Sequence, residues 1–146
     1  MGNIINGVCL TQVKQIFHPK GNVFHAIKKS DVGFNGFGEA YFSTINFSEI
    51  KPWKKHLSMT LNFVVPSGEI RFVIYDDREN SSTKGNFMDV TLSHSNYKRL
   101  TIPPGLWVAF EGIGMNLNLL LNIADLEHDP QEIIRKTCLE DINYKW

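Results

Sequence analysis

Apolar and polar positions alternate with period two along much of this chain. In "WKKHLSMTLNFVV" the odd positions Trp53, Leu57, Met59, Leu61 and Phe63 are apolar, with Lys55 the exception. The even positions Lys54, His56, Ser58, Thr60 and Asn62 are all polar. Successive strand residues point to opposite faces, so the run predicts one strand with a greasy face and a hydrogen-bonding face. "FSTINF" alternates more loosely, and "IRFVIYDD", "FMDVTLS", "RLTIPPG", "LWVAFEGIG" and "LNLLLNIAD" are further strand candidates. "PSGE" and "DDRENSSTKGN" carry turn chemistry between them. Short strands at roughly ten-residue spacing predict an all-β sandwich or barrel.

Two segments depart from that rhythm. In "HDPQEIIRKT" Asp129 suits a helix N-cap, Pro130 the first helical position and Glu132 the place of a capping carboxylate. A short helix of about two turns is expected there. "DINYKW" reads as a last strand or an ordered tail. In "RLTIPPGLWVAF", Pro103 pushes Ile102 toward extended geometry, Pro104 fixes φ, and Gly105 permits a tight turn. Such a corner ends one strand and starts the next in a rolled sheet.

Composition narrows the function classes. The chain has 146 residues, which suits one domain over 1–146. Fifteen Lys and Arg balance 15 Asp and Glu, so charge gives no reason to expect nucleic acid or an acidic membrane as partner. No apolar run approaches the roughly 20 residues of a membrane span, and the start lacks the basic and apolar regions of a signal peptide. Cys9 and Cys138 stand far apart, outside any C-x-x-C, and read as reduced thiols of a cytoplasmic protein. The five histidines include no His-x-His pair, so no metal site is expected. His94 and His128 read as solvated or structural, and Asp76 and Asp77 beside Arg78 as a salt-bridged strand end.

The run Asp76, Asp77, Arg78, Ser82, Thr83, Gly85, Phe87, Leu92, Ser93, Asn96, Ile102, Pro103, Gly105, Leu106 and Phe110 resembles, in order and spacing, the dTDP-4-dehydrorhamnose 3,5-epimerase family. The resemblance covers roughly 125 residues, and "DINYKW" is similar to the family's closing Ile-x-x-x-Trp. It implies a cupin, or jelly-roll, β-sandwich barrel without a cofactor. It also implies an isomerase acting on a nucleotide-linked 4-keto-6-deoxyhexose in deoxysugar or surface-glycan biosynthesis, and a homodimer.

Residue by residue, the resemblance implies that His56 stands for the family's catalytic base. Lys54 or Lys55 stands for an arginine that contacts the nucleotide phosphates. Asn46 matches an asparagine that contacts the nucleotide. Lys20 and Gly21 match the start of an Arg-Gly-x-x-x-Glu pattern in which His25 replaces the glutamate. Other positions depart from the family. Its catalytic tyrosine falls on Leu121, a second histidine on Val108, and the aspartate that orients the base on Leu139, beside Glu140 and Asp141. Its enolate-stabilising lysine has no clear equivalent, with Thr60 nearby.

The residues themselves support a parallel reading. A neutral imidazole can take a carbon-acid proton near pH 7, and a lysine two residues away on the same face can stabilise an enolate oxygen. His56 and Lys54 are therefore the expected catalytic pair. The resemblance implies Lys55, Asn46, Lys20, His25 and Thr60 as substrate contacts, the alternating Asn and Leu positions add Asn118 and Asn122, and no residue is expected to hold metal. The competing expectation is an inactive epimerase-like cupin that binds a sugar nucleotide or serves assembly.

Overall fold

A computed structural model describes residues 3–146. Its strands are β1 (Cys9–Gln12), β2 (Gln15–Ile16), β3 (Val23–Phe24), β4 (Glu39–Thr44), β5 (Ile50–His56), β6 (Leu61–Ser67), β7 (Glu69–Tyr75), β8 (Phe87–Ser93), β9 (Lys98–Ile102), β10 (Trp107–Gly112), β11 (Leu119–Ala124) and β12 (Ile133–Arg135). One five-stranded sheet runs β1-β9-β6-β11-β4, a second runs β12-β5-β10-β7-β8, and β2 with β3 makes a small ribbon. All these pairings are antiparallel. The chain passes repeatedly from one sheet to the other, which is the jelly-roll arrangement of a cupin.

The period-two pattern is realised in the packing. On β7, Ile70, Phe72 and Ile74 face the interior between the sheets, where they meet Leu61, Phe63 and Val65 of β6 and Leu100 and Ile102 of β9. Val73, on the opposite face of β7, joins Trp53, Trp107, Ala109 and Ile142 in a second cluster on the outside of that sheet. Tyr144 and Trp146 pack against this cluster, so "DINYKW" is an ordered tail. The outside of the first sheet carries a third cluster of Val13, Val64 and Tyr97, with Phe24 and Leu121 against it.

Two expectations are corrected here. "WKKHLSMTLNFVV" is not one strand: β5 ends at His56 and β6 begins at Leu61 in the other sheet. The parity of the inward face changes across the break. Lys54 and His56 face inward on β5, whereas Leu61 and Phe63 do so on β6. The expected helix at "HDPQEIIRKT" is a single 3-10 turn, Pro130–Glu132. Asp129 caps it as expected, accepting from the Gln131 amide at 2.9 Å. The helix stops because Ile133–Arg135 pair with His56, Lys55 and Lys54 as an edge strand, a placement that suits β-branched isoleucines.

The "DDRENSST" turn fastens the N-terminal segment. Asp76 is fully buried. Its carboxylate accepts from Arg78 Nε and Nη2 (both 2.9 Å), Ser81 Oγ (2.6 Å) and Thr83 Oγ1 (2.7 Å). Arg78 Nη2 also donates to the Asn6 carbonyl at 2.7 Å, and Thr83 Oγ1 accepts from the Asn6 amide at 2.9 Å. Burial pushes the Asp76 carboxyl up, but the hydrogen bonds from Arg78, Ser81 and Thr83 outweigh it and hold it far below the usual range. Removing the carboxylate strands the Arg78 charge. Asp76→Ala is expected to lower the unfolding free energy by about 3 kcal/mol in urea titrations. It should also speed amide exchange in residues 4–8; unchanged exchange there would break the proposed tie.

Candidate active site

Between the sheets lies a cavity of about 120 Å³. The second sheet contributes Lys51, Pro52, Lys54 and His56 from β5, with Val108 and Phe110 from β10. The first sheet contributes Tyr41 and Ser43 from β4, Leu61 and Phe63 from β6, and Leu120 and Asn122 from β11. The lining is therefore apolar at its base, with a small number of polar groups on both walls, the usual make-up of a small-molecule site.

His56 is held on three sides. Its backbone carbonyl accepts from the Gly105 amide at 2.7 Å, so the Pro-Pro-Gly corner docks onto the end of β5. Gly105 has φ +89°, a conformation that favours glycine, and a Cβ there would press on Arg78 Cδ at 3.2 Å. Val108 and Lys54 are partners in the β10–β5 pairing, and Ile133 and His56 in the β12–β5 pairing. The ring itself is fixed by a hydrogen bond between Nδ1 and Glu132 Oε1.

Glu132 does more than orient the imidazole. Its Oε2 accepts from the backbone amides of Leu57 (3.2 Å), Ser58 (3.2 Å) and Met59 (3.3 Å), the loop that carries the chain between sheets. Burial pushes its carboxyl up, but hydrogen bonds from His56 and from the Ser58 and Met59 amides win and keep it below the ordinary value. An ionised Glu132 fixes the hydrogen on Nδ1 and leaves Nε2 as the free basic nitrogen of the ring.

Around the same cavity the charge is positive. Lys54 is exposed as a residue, yet its ammonium is held below the usual lysine value, chiefly by desolvation and then by the charges of Arg135 and Lys51. Arg135 stands opposite Lys54 in the β12–β5 pairing. Among the described residues none of these three cations has a carboxylate partner. The Lys51 ammonium donates to the Thr44 carbonyl at 2.7 Å. Unpaired cations beside an apolar hollow are an anion-binding arrangement.

Of the residues expected from sequence, the structure brings His56, Lys54 and Asn122 together at this cavity. Lys55 is a correction: it points to the outer face, where it pairs with Asp77 at 2.5 Å and lies 4.7 Å from the centre of the Trp107 ring. Thr60 is turned away by the sheet crossing, accepting from Asn35 while its amide donates to Asp125. Asn118 is consumed by the backbone, donating to Ile45 and Gly114 carbonyls and accepting from the Glu69 amide. Asn46 sits exposed in the turn after β4, Lys20 is exposed beyond the ribbon, and His25 lines a separate hollow with Lys14 and Lys28. Glu132, Tyr41 and Ser43 are the members that sequence reasoning missed. Local alternation does not single out Tyr41; the β4–β11 register, which pairs it with Asn122, brings it here. Among the described residues no group of three His, Cys, Asp or Glu is placed to hold a metal ion.

Known proteins share this chain's sequence and fold to different extents. No protein-family model matches the chain. A crystal structure of a dTDP sugar isomerase from Desulfovibrio desulfuricans G20 is 37% identical, with a TM-score of 0.89, covering 93% of this chain and 87% of that one. A probable low-salt glycan biosynthesis epimerase, Agl13, from Haloferax volcanii is 35% identical over 98 residues, 64% of this chain and 62% of that protein. The chain thus spans less than two thirds of that curated relative. At 15% identity and a TM-score of 0.86, ChmJ, a 3'-monoepimerase from Streptomyces bikiniensis solved with dTDP-quinovose, shares the fold, covering 100% of this chain and 78% of that one. The fold is that of a cupin. The chain belongs to the family of sugar-nucleotide epimerases and isomerases that includes the dTDP-4-dehydrorhamnose 3,5-epimerases.

Glu132→Gln tests the carboxylate directly. Because the folded value is depressed, its stabilisation is present above the unfolded value near 4.3 and is lost as pH falls through the folded one. The variant is expected to lose about 2 kcal/mol of stability at neutral pH. The gap to wild type should close on acidification in chemical-denaturation curves. A gap that is constant with pH would mean that the charge of Glu132 is not what holds the loop.

Proposed function

We propose that this protein is an isomerase that moves a proton next to the ketone of a nucleotide-linked 4-keto-6-deoxyhexose, as an epimerase or keto-isomerase, in deoxysugar or surface-glycan assembly. The observation that carries the reading is His56, held by Glu132 and lining a cavity beside unpaired cations. His56 Nε2 removes the carbon-bound hydrogen as a proton. The C–H electron pair passes into the carbonyl, forming an enolate. Lys54, whose ammonium is already crowded by Lys51 and Arg135, lowers the cost of negative charge on that oxygen or on the diphosphate. The apolar base of the cavity, Phe63, Val108, Phe110 and Leu120, excludes water from the enolate.

The same reading places the protein in the cytoplasm and as a homodimer. Exposed apolar side chains support the dimer: Phe17 beside the β2–β3 ribbon is 80% exposed and Phe42 on edge strand β4 is 64% exposed. Lys20 and His25, which lie away from this chain's own cavity, are read as serving the partner's.

Incubation with dTDP-4-keto-6-deoxyglucose in deuterated water should place deuterium on a ring carbon adjacent to the ketone, followed by NMR. His56→Asn should slow that incorporation by about 10²–10⁴-fold. Binding of the sugar nucleotide with no incorporation would replace the enzyme with a non-catalytic binding cupin.

A further inference from the structure

Proton return to the sugar carbon needs an acid, and base and acid must reach the substrate from different directions if the carbon is to invert. The titratable residues lining the cavity are Lys51, Lys54, His56 and Tyr41. The first three project from β5, in the second sheet. Tyr41 alone projects from the first sheet, on β4. The remaining polar lining residues are Ser43 and Asn122, and neither an alcohol nor an amide is an acid of useful strength near neutral pH.

Asn122 prepares the phenol for this task. The two residues are direct partners across the β11–β4 pairing. Asn122 Nδ2 donates to Tyr41 Oη at 3.0 Å. With its oxygen already accepting from the amide, the phenol has its own O–H free to point at a ligand. The same amide steadies the oxygen once the proton has left. Asn122 is 2% exposed, and its Oδ1 is buried without a partner among the described residues. A buried acceptor left open in a cavity wall is costly unless a ligand fills it, and a sugar hydroxyl is the matching donor.

We infer that Tyr41 is the catalytic acid of this site and Asn122 its positioning residue, an assignment that rests on the isomerase reading above. In the return step the enolate carbon takes the hydrogen from Tyr41 Oη, and a new C–H bond forms as the carbonyl is restored. The O–H electron pair stays on the phenol oxygen as tyrosinate. Solvent then reprotonates Tyr41 and accepts the proton that His56 removed, so the cycle is redox-neutral and needs no co-reactant. The phenol therefore sits one strand over from β11, the strand on which the family resemblance places a tyrosine at Leu121.

The test separates removal from return, with dTDP-4-keto-6-deoxyglucose in deuterated water. Two rates are followed by NMR: deuterium incorporation into recovered substrate, which needs only His56, and product formation, which needs the acid as well. Tyr41→Phe should cut product formation by about 10²-fold or more while incorporation stays close to wild type. Tyr41 is 44% exposed, so the phenylalanine is not expected to disturb folding. Asn122→Asp, near-isosteric but without the N–H donor, should show the same split, which a loss of packing alone would not produce. Tyr41→Phe that still forms product at the wild-type rate overturns the assignment and leaves the isomerase reading standing. Wild-type protein that neither incorporates deuterium nor forms product overturns both.

Discussion

Three backbone amides and one imidazole converge on the carboxylate of Glu132. That convergence ties together parts of the chain 75 residues apart in sequence. It closes the loop by which β5 in one sheet becomes β6 in the other. It keeps β12 against the outer edge of β5, since Glu132 immediately precedes Ile133. It also fixes the imidazole that faces the cavity. Burial opposes an ionised carboxyl here, so the hydrogen bonds must outweigh desolvation for the arrangement to exist. A local structural need and a chemical need are met by one group.

The cavity is asymmetric in a way that matters for chemistry. The β5 wall is basic and cationic, with His56, Lys51 and Lys54. The facing β4–β11 wall is uncharged and hydrogen-bonding, with Tyr41, Ser43 and Asn122. Negative charge on a ligand would be drawn to the first wall, and its hydrogen-bonding groups would be met at the second.

Much of the architecture is legible from alternation and turn chemistry. β6 to β11 follow runs of apolar and β-branched residues separated by Gly, Pro, Asn and Ser, and the Pro-Pro-Gly corner falls where a strand changes sheet. Local pattern misleads where distant contacts decide. The alternation from Trp53 to Phe63 continues through residues 57–60 although the strand does not, because only Glu132 and Asp125 reveal the crossing. Asp129, Pro130 and Glu132 spell a helix start, yet the carboxylate is drawn to His56 rather than to its own turn. Lys55 and Lys54 look equivalent in sequence; Asp77, brought in by β7 beside β10, takes the first and leaves the second for the cavity. His56 and Asn122 were readable from parity within single strands. Tyr41 needed the β4–β11 register, which pairs it with Asn122.

Long-range proton–nitrogen NMR correlation of the His56 ring at about pH 8 probes the Glu132–His56 contact without any substrate. The hydrogen should reside on Nδ1, facing Glu132, with Nε2 bare toward the cavity. A ring carrying its hydrogen on Nε2, with a bare Nδ1 against the carboxylate, would contradict the role given to Glu132 and remove the basic nitrogen from the cavity.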